Sequence, residues 1–267
     1  MKKTVFYHIY LTEDLTWVPL LLDQFKIIID SGLYEEADKI FVSSIVSDES
    51  LGQIVEILST IASNFGNKII LLWVKKNYDD TELSNIDKSK NIITENICLK
   101  KIWDYAHSLQ ENEHIAYIHA KGITSFSRYL NKNKVDYGSY RVVNYHFWRK
   151  FLEWGVIEKY KECCEALQEN DTAGVNWSKW PVPHYSGGFW WANSNYIKTL
   201  NDPTNETWWE TYKKRNPSLL NISNRVKDEM WIGSKSSNMF SLKNFSDSPN
   251  NLLGDILIKR QEYENYK

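Results

Sequence analysis

The sequence predicts an α/β fold: a mostly parallel central sheet flanked by helices, in a single domain. Three observations carry this. The first 120 residues alternate apolar runs of strand length with amphipathic runs of helix length, the pattern of parallel strands joined by right-handed crossovers. The chain has 267 residues, enough for one large α/β domain with a sizeable core. Charged residues at 25% and hydrophobic residues at 42% are ordinary for a globular protein.

Each element has its own signal. Residues 4–11, TVFYHIYL, are β-branched and aromatic, as a strand requires. Asp14 or Thr16 can cap the helix that follows, Trp17 to Ile29, where Pro19 is tolerated in the first turn and Ser31-Gly32 ends the run. Lys39 to Val46 is a second strand. Asp48 can cap a helix through Ile61, whose apolar residues Ile54, Ile57, Leu58 and Ile61 recur at helical spacing. Gly66-Asn67 turns into a third strand, Lys68 to Val74. Residues 76–91 are polar, without apolar periodicity, and read as a surface loop. A helix spans about Glu95 to Leu109, and a fourth strand lies within His114 to Gly122, HIAYIHAKG.

The second half changes character. Asp136 to Gly155 reads as an aromatic helix stopped by its glycine, and Ile157 to Gln168 as another. Residues 172–177 form a short strand. His184 to Ala192 is an apolar, aromatic run around a Gly-Gly pair. Short helices begin near Asn195, Thr207 and Arg225, and the chain from Ser234 onward is polar. With no internal repeat and no linker, the expectation is one domain, residues 1–122 forming a nucleotide-binding half and 123–267 an acceptor- and sugar-binding half.

Bulk properties narrow the function. A net charge of −2 provides no basic field for nucleic acid or an anionic membrane. Any phosphate must meet a local cation. Cys98, Cys163 and Cys164 give neither a disulfide framework nor a metal spacing. The short apolar run near the start is too brief for a signal-peptide core, and no stretch has the length of a transmembrane segment. A cytoplasmic setting is expected.

Three constellations carry chemistry. In the first, HIAYIHAKG, a buried strand ends in His119, Lys121 and Gly122, and open α/β sheets bind ligands beyond the carboxyl ends of their strands. No Asp-x-Asp occurs to hold a metal against a diphosphate. Lysine binds phosphate as a point charge, histidine adds a donor, and glycine admits close backbone approach. The bland alternative is a solvated lysine and a capped strand end. The second, HYSGGFWWA, places His184, Ser186, Gly187, Gly188, Phe189, Trp190 and Trp191 together. Two glycines in an apolar run are costly unless something needs the space, either a sugar or a bulge in a packed strand. Seven of the twelve tryptophans lie between 177 and 231, and flat rings suit the CH faces of sugars. The third, RVKDEMWI, offers Asp228 or Glu229 as a base for an acceptor hydroxyl, with Arg225 one turn before Glu229 to orient it or touch phosphate. A solvated ion-paired helix face fits the same spacing.

Taken together, FYHIYL, SGLYEEADKI, YIHAKG, HYSGGFWWA and RVKDEMWI resemble a group of bacterial and viral GT-A-type glycosyltransferase-like proteins that lack Asp-x-Asp. The YxHxKG stretch is also similar to that of rhamnan-synthesis-type proteins. The resemblance runs from about Phe6 to Gly233, and the order and spacing of the segments carry it. It implies a GT-A, Rossmann-like fold, a nucleoside-diphosphate-sugar donor and a glycan acceptor. It implicates His119 and Lys121 near the diphosphate, Ser186 to Trp191 at the sugar and acceptor groove, and Glu229 or Asp228 as base.

The expected activity is therefore glycosyl transfer, inverting, with no obligatory metal or other cofactor. Lys121 stabilises the leaving diphosphate, assisted by His119, Gly122 and Arg225. The alternatives are a carbohydrate-binding protein without catalysis and a retaining transferase.

Overall fold

Strand β1 (Lys3–Tyr10) shows how the sheet acquires two cores. Its side chains alternate: Val5, Tyr7 and Ile9 enter one apolar cluster and Phe6 enters the other. A strand covered on both faces reads as a continuous apolar run, as this one does. The computed structural model describes residues 1–11, 15, 17–46, 51–75, 95–121, 140–220, 226–235 and 238–244. The expected loop 76–91, the caps Asp14, Thr16 and Asp48, and the site residues Gly122 and Arg225 lie outside them.

After β1, α1 (Trp17–Asp30) buries Trp17, Leu20, Leu21, Gln24, Phe25 and Ile28, one stripe at helical spacing. The short α2 (Leu33–Glu36) leads to β2 (Lys39–Val46), then α3 (Leu51–Asn64), β3 (Ile69–Lys75), α4 (Asn96–Ser108) and β4 (His114–His119). β2 pairs in parallel with β1 and β3, and β1 in parallel with β4. The alternation legible in the sequence is the alternation of the fold.

Next come α5 (Tyr140–Glu153), a π-helical turn (Trp154–Glu158), α6 (Tyr160–Ala166) and β5 (Thr172–Gly174). Gly155 does not stop a helix, as its position suggests. It lies inside the π turn, where a Cβ would stand 2.1 Å from Val175 Cγ1. The expected strand 172–177 stops at Gly174, and Asn176 takes a positive φ of 56°. The aromatic run 184–192 is broken into β7 (His184–Tyr185), a turn, and β8 (Trp190–Asn193); β7 pairs with β6 (Trp177–Ser178) as a separate hairpin. Short helices α7 (Ser194–Ile197), α8 (Glu206–Arg215) and α9 (Lys227–Trp231) follow. The polar tail yields a strand the sequence hid, β9 (Met239–Ser241).

The seven-stranded sheet has the order β3-β2-β1-β4-β8-β5-β9. β8 is antiparallel to both β4 and β5, and β9 is parallel to β5, so β8 alone opposes the rest. Strands from both halves of the chain thus share one mixed, mostly parallel sheet. One face packs against α1, α3, α5 and the π turn, the other against α4, α7, α8 and α9. All three cysteines are buried free thiols. Among the described residues, no helix is long and apolar enough to cross a membrane.

Candidate active site

From β1 the chain winds outward to β2 and β3, then returns to place β4 on the other side of β1. That reversal marks a topological switch point beyond the carboxyl ends of β1 and β4, the position at which open α/β sheets bind their ligands. His8 and His119 are register partners at this end. His8 follows Phe6, and His119 follows Tyr117, by two residues, so both imidazoles face the α4 side. Both are buried, and His8 Nδ1 has no hydrogen-bond partner among the described residues. Burial lowers the His8 pKa to about 4, which leaves it neutral near pH 7.

His119 is held from three directions. Its Nε2 lies 2.8 Å from the Gly187 carbonyl, its Nδ1 3.4 Å from Glu95 Oε1, and its own carbonyl receives Gln24 Nε2 at 3.5 Å. Glu95 immediately precedes α4 and also accepts a hydrogen bond from the Tyr117 hydroxyl at 2.9 Å. Burial lowers the His119 pKa, and the Glu95 carboxylate opposes it. Burial acts to raise Glu95, but His119, Lys121 and His8 together bring it below the usual carboxylate value.

Lys121 follows in a tight turn, its N–H donating to the His119 carbonyl at 2.8 Å. Its ammonium donates to Glu229 Oε1, also at 2.8 Å. Burial works to raise the Glu229 pKa, yet the Lys121 cation outweighs it and holds the carboxyl at about 2. Arg149 lies 3.2 Å from Glu153, which is buried beneath it, and its Nη1 reaches the Lys121 carbonyl at 3.4 Å. That arginine serves the turn and its own ion pair.

The Gly-Gly pair closes the site. Gly187 and Gly188 have φ of 95° and 75°, conformations L side chains resist. A Cβ on Gly187 would meet Leu152 Cδ1 at 2.6 Å and Trp148 Nε1 at 2.7 Å, so packing against α5 claims that space rather than a sugar. A Cβ on Gly188 would stand 3.4 Å from His119 Nε2 and 3.8 Å from Glu229 Cγ. The turn therefore brings its backbone against both of these side chains. Before it, His184 Nδ1 lies 2.7 Å from the Val182 carbonyl and Nε2 3.1 Å from Ser186 Oγ. The neutral tautomer with hydrogen on Nδ1 satisfies both contacts. Burial lowers the pKa of His184.

The structure brings His119, Lys121, Gly188 and Glu229 together, with His184 and Ser186 behind them. It corrects the aromatic part of the expectation. Phe189, Trp190 and Trp191 are core residues. Trp190 packs against Tyr117 and Trp231 on one face of the sheet, and Trp191 Nε1 donates to the Val156 carbonyl at 2.8 Å on the other. Strand alternation sends the two indoles to opposite cores, and neither faces a groove. Trp180, on the loop between β6 and β7, is the one exposed tryptophan among the described residues with an assigned burial. Asp228 is buried beside Glu229 and close enough to Tyr117 to raise its pKa, after the larger effects of burial and Glu95.

Sequence reasoning missed Glu95 and His8. His8 carried a signal, a polar residue on the Phe6 side of an otherwise apolar strand. Glu95 carried almost none, since a glutamate before a helix is common. Among the described residues, no group of three or more His, Cys, Asp or Glu is arranged to hold a metal ion.

The fold and this cluster define a mixed α/β protein with a polar site at a topological switch point. The chain belongs to the family described as Domain of unknown function (DUF8361), which matches residues 6–239. A search of curated proteins gives no match. Among solved structures, the 4-diphosphocytidyl-2C-methyl-D-erythritol synthase from Anaerococcus prevotii aligns over 98% of this chain and 95% of that chain. Its identity is 8% and its TM-score 0.35, too distant a likeness to carry a statement about this chain.

Proposed function

We propose that the chain is a glycosyltransferase moving a sugar from a nucleoside-diphosphate sugar to a glycan acceptor, inverting and without an obligatory metal. The observation that carries this reading is the Lys121–Glu229 pair at the switch point, with two imidazoles side by side next to it. A cation and a carboxylate in contact provide both groups that inverting transfer needs, one for the leaving diphosphate and one for the acceptor proton.

The pair also imposes an order. A carboxyl held at about 2 is a weak base. An arriving diphosphate competes with Glu229 for the ammonium. Once Lys121 turns to phosphate oxygens, Glu229 loses the charge that depressed its pKa and becomes a better proton acceptor. The acceptor hydroxyl then attacks the anomeric carbon, the bond from that carbon to the phosphate oxygen breaks, and the hydroxyl proton passes to Glu229. The nucleoside diphosphate departs against the Lys121 ammonium, with His119, whose ring nitrogens face Gly187 and Glu95, behind it. His8 Nδ1, buried without a hydrogen-bond partner among the described residues, is available to a hydrogen-bond donor on a ligand entering at the same strand ends. Burial of Trp190 and Trp191 takes those two rings out of any sugar-binding surface, which lessens the support for a purely carbohydrate-binding protein. Turnover assays on a panel of nucleotide sugars, with chelator present, test the reading. Activity lost in both Lys121→Ala and Glu229→Gln supports it, and full activity in either variant contradicts it.

A further inference from the structure

His119 has more acceptors than a neutral imidazole can serve. Nε2 stands 2.8 Å from the Gly187 carbonyl, which accepts only, so Nε2 carries a hydrogen. Nδ1 then turns a lone pair toward Glu95 Oε1, at 3.4 Å. Lone pair facing carboxylate is repulsive unless a proton lies between them. Glu95 itself is fixed, because the Tyr117 hydroxyl donates to its other oxygen at 2.9 Å. Among the described residues, the other charged or titratable groups near the ring are Lys121 beyond β4, Glu229 and Asp228 on α9, His8 on β1, His184 on β7 and Tyr117, whose ring stacks on the imidazole at 5.8 Å. The ammonium and the Glu229 carboxylate neutralise each other at 2.8 Å. Among the described groups of this cluster, the carboxylates of Glu95, Glu229 and Asp228 outnumber the Lys121 ammonium while the imidazoles are neutral. A diphosphate entering it adds more.

We propose that Glu95 is the positioning residue that lets His119 take up a second proton when a diphosphate binds, so that the ligand meets an imidazolium as well as the Lys121 ammonium. The proton goes to Nδ1, closes the gap to Glu95 Oε1 as a charge-assisted hydrogen bond, and comes from solvent. This rests on the reading of the switch point as a diphosphate site, and it adds a residue and a proton to it. Affinity for the anion is then linked to pH: binding takes up a proton, so it strengthens as pH falls toward the His119 pKa and weakens above it.

The test uses the full-length chain and inorganic pyrophosphate. Calorimetry in buffers of differing ionisation enthalpy counts protons taken up at pH 7.5, and NMR of the imidazole nitrogens follows His119 directly. Wild type is expected to take up close to one proton per pyrophosphate. Glu95→Gln, which keeps an oxygen for Tyr117, is expected to lose that uptake, bind at least tenfold more weakly, and show a lower His119 pKa. Glu95→Asp is expected to restore part of the uptake. His119→Gln, whose amide nitrogen reaches about as far as Nε2 and can still donate to the Gly187 carbonyl, is expected to bind without uptake. Binding by wild type without proton uptake, or undiminished uptake in Glu95→Gln, overturns the proposal. If neither pyrophosphate nor any nucleoside diphosphate binds wild type, the glycosyltransferase reading fails instead. The His119 titration then decides the pair on its own: a lower pKa in Glu95→Gln upholds the coupling, and an unchanged one overturns it.

Discussion

Lys121 Nζ stands 2.8 Å from Glu229 Oε1, so the cation ending β4 and the carboxylate on α9 hold one another across 108 residues of chain. The two constellations that the sequence offered as phosphate binder and base are one contact. Each tunes the other, and any ligand of one must renegotiate with its partner.

Removing the lysine separates binding from stability. In Lys121→Ala the Glu229 side chain, 26% exposed, loses its cation. Leaving a partly buried charge unpaired costs about 1–2 kcal/mol after allowance for solvent. Urea denaturation of Lys121→Ala should show that loss. Lys121→Met combined with Glu229→Gln should recover most of it without recovering diphosphate affinity.

Acid should destabilise the fold in two windows. Burial holds His8 near pKa 4 against an ordinary 6.5, and His114 likewise. Between those values the unfolded chain binds protons that the folded chain refuses, so stability falls as pH drops from about 6.5 to about 4 and levels off for these groups below that. For fully buried His8 the effect is about 3 kcal/mol. Glu229 acts lower. Its pKa is depressed to about 2, so its contribution is complete above its ordinary value of 4.5 and is lost as pH falls through 2. Denaturation midpoints measured across pH should flatten in the upper window for His8→Gln and in the lower for Glu229→Gln.

Gly188 is where backbone meets site. Alanine there takes a φ of 75° and sets a Cβ 3.4 Å from His119 Nε2. The strained conformation costs about 1–2 kcal/mol. A contact of that length displaces the ring little, so pyrophosphate binding should fall by less than in Lys121→Ala. Calorimetry and denaturation of Gly188→Ala measure the two effects separately.

The tryptophans should divide by burial. Trp191→Ala empties a fully buried site and removes the hydrogen bond to Val156, at a cost of about 3–5 kcal/mol. Trp180→Ala, at an exposed position, should change stability by less than about 0.5 kcal/mol. Thermal denaturation of both variants checks the assignment of Trp191 to the core and of Trp180 to the surface.

These outcomes bear on what the sequence carried. β1 to β4 and their helices were legible because each is a long run with one period, two or 3.6, and burial on both sheet faces makes the strands continuously apolar. The β2 boundaries, Lys39 to Val46, agree at both ends. The second half was less legible because its strands have two to four residues, too short to show a period, and β9 hides in a polar stretch. Gly155 and Gly187 misled for one reason: each glycine answers a neighbour distant in sequence, Val175 for one, Leu152 and Trp148 for the other. His119, Lys121 and Glu229 could be named as chemistry-bearing residues, but their contact could not, since nothing local joins residue 121 to residue 229. Glu95 was invisible for the same reason, its importance lying wholly in the imidazole it faces.

The central claim is that the Lys121 ammonium exchanges Glu229 for a diphosphate. Isothermal titration of nucleoside diphosphates into wild type and Lys121→Ala, both in excess chelator, tests it most directly. The account predicts saturable binding to wild type without divalent metal and a loss of about ten- to a hundredfold in the variant, the worth of one charged contact. Equal affinity in the two proteins, or binding by wild type only when a divalent ion is restored, would contradict it.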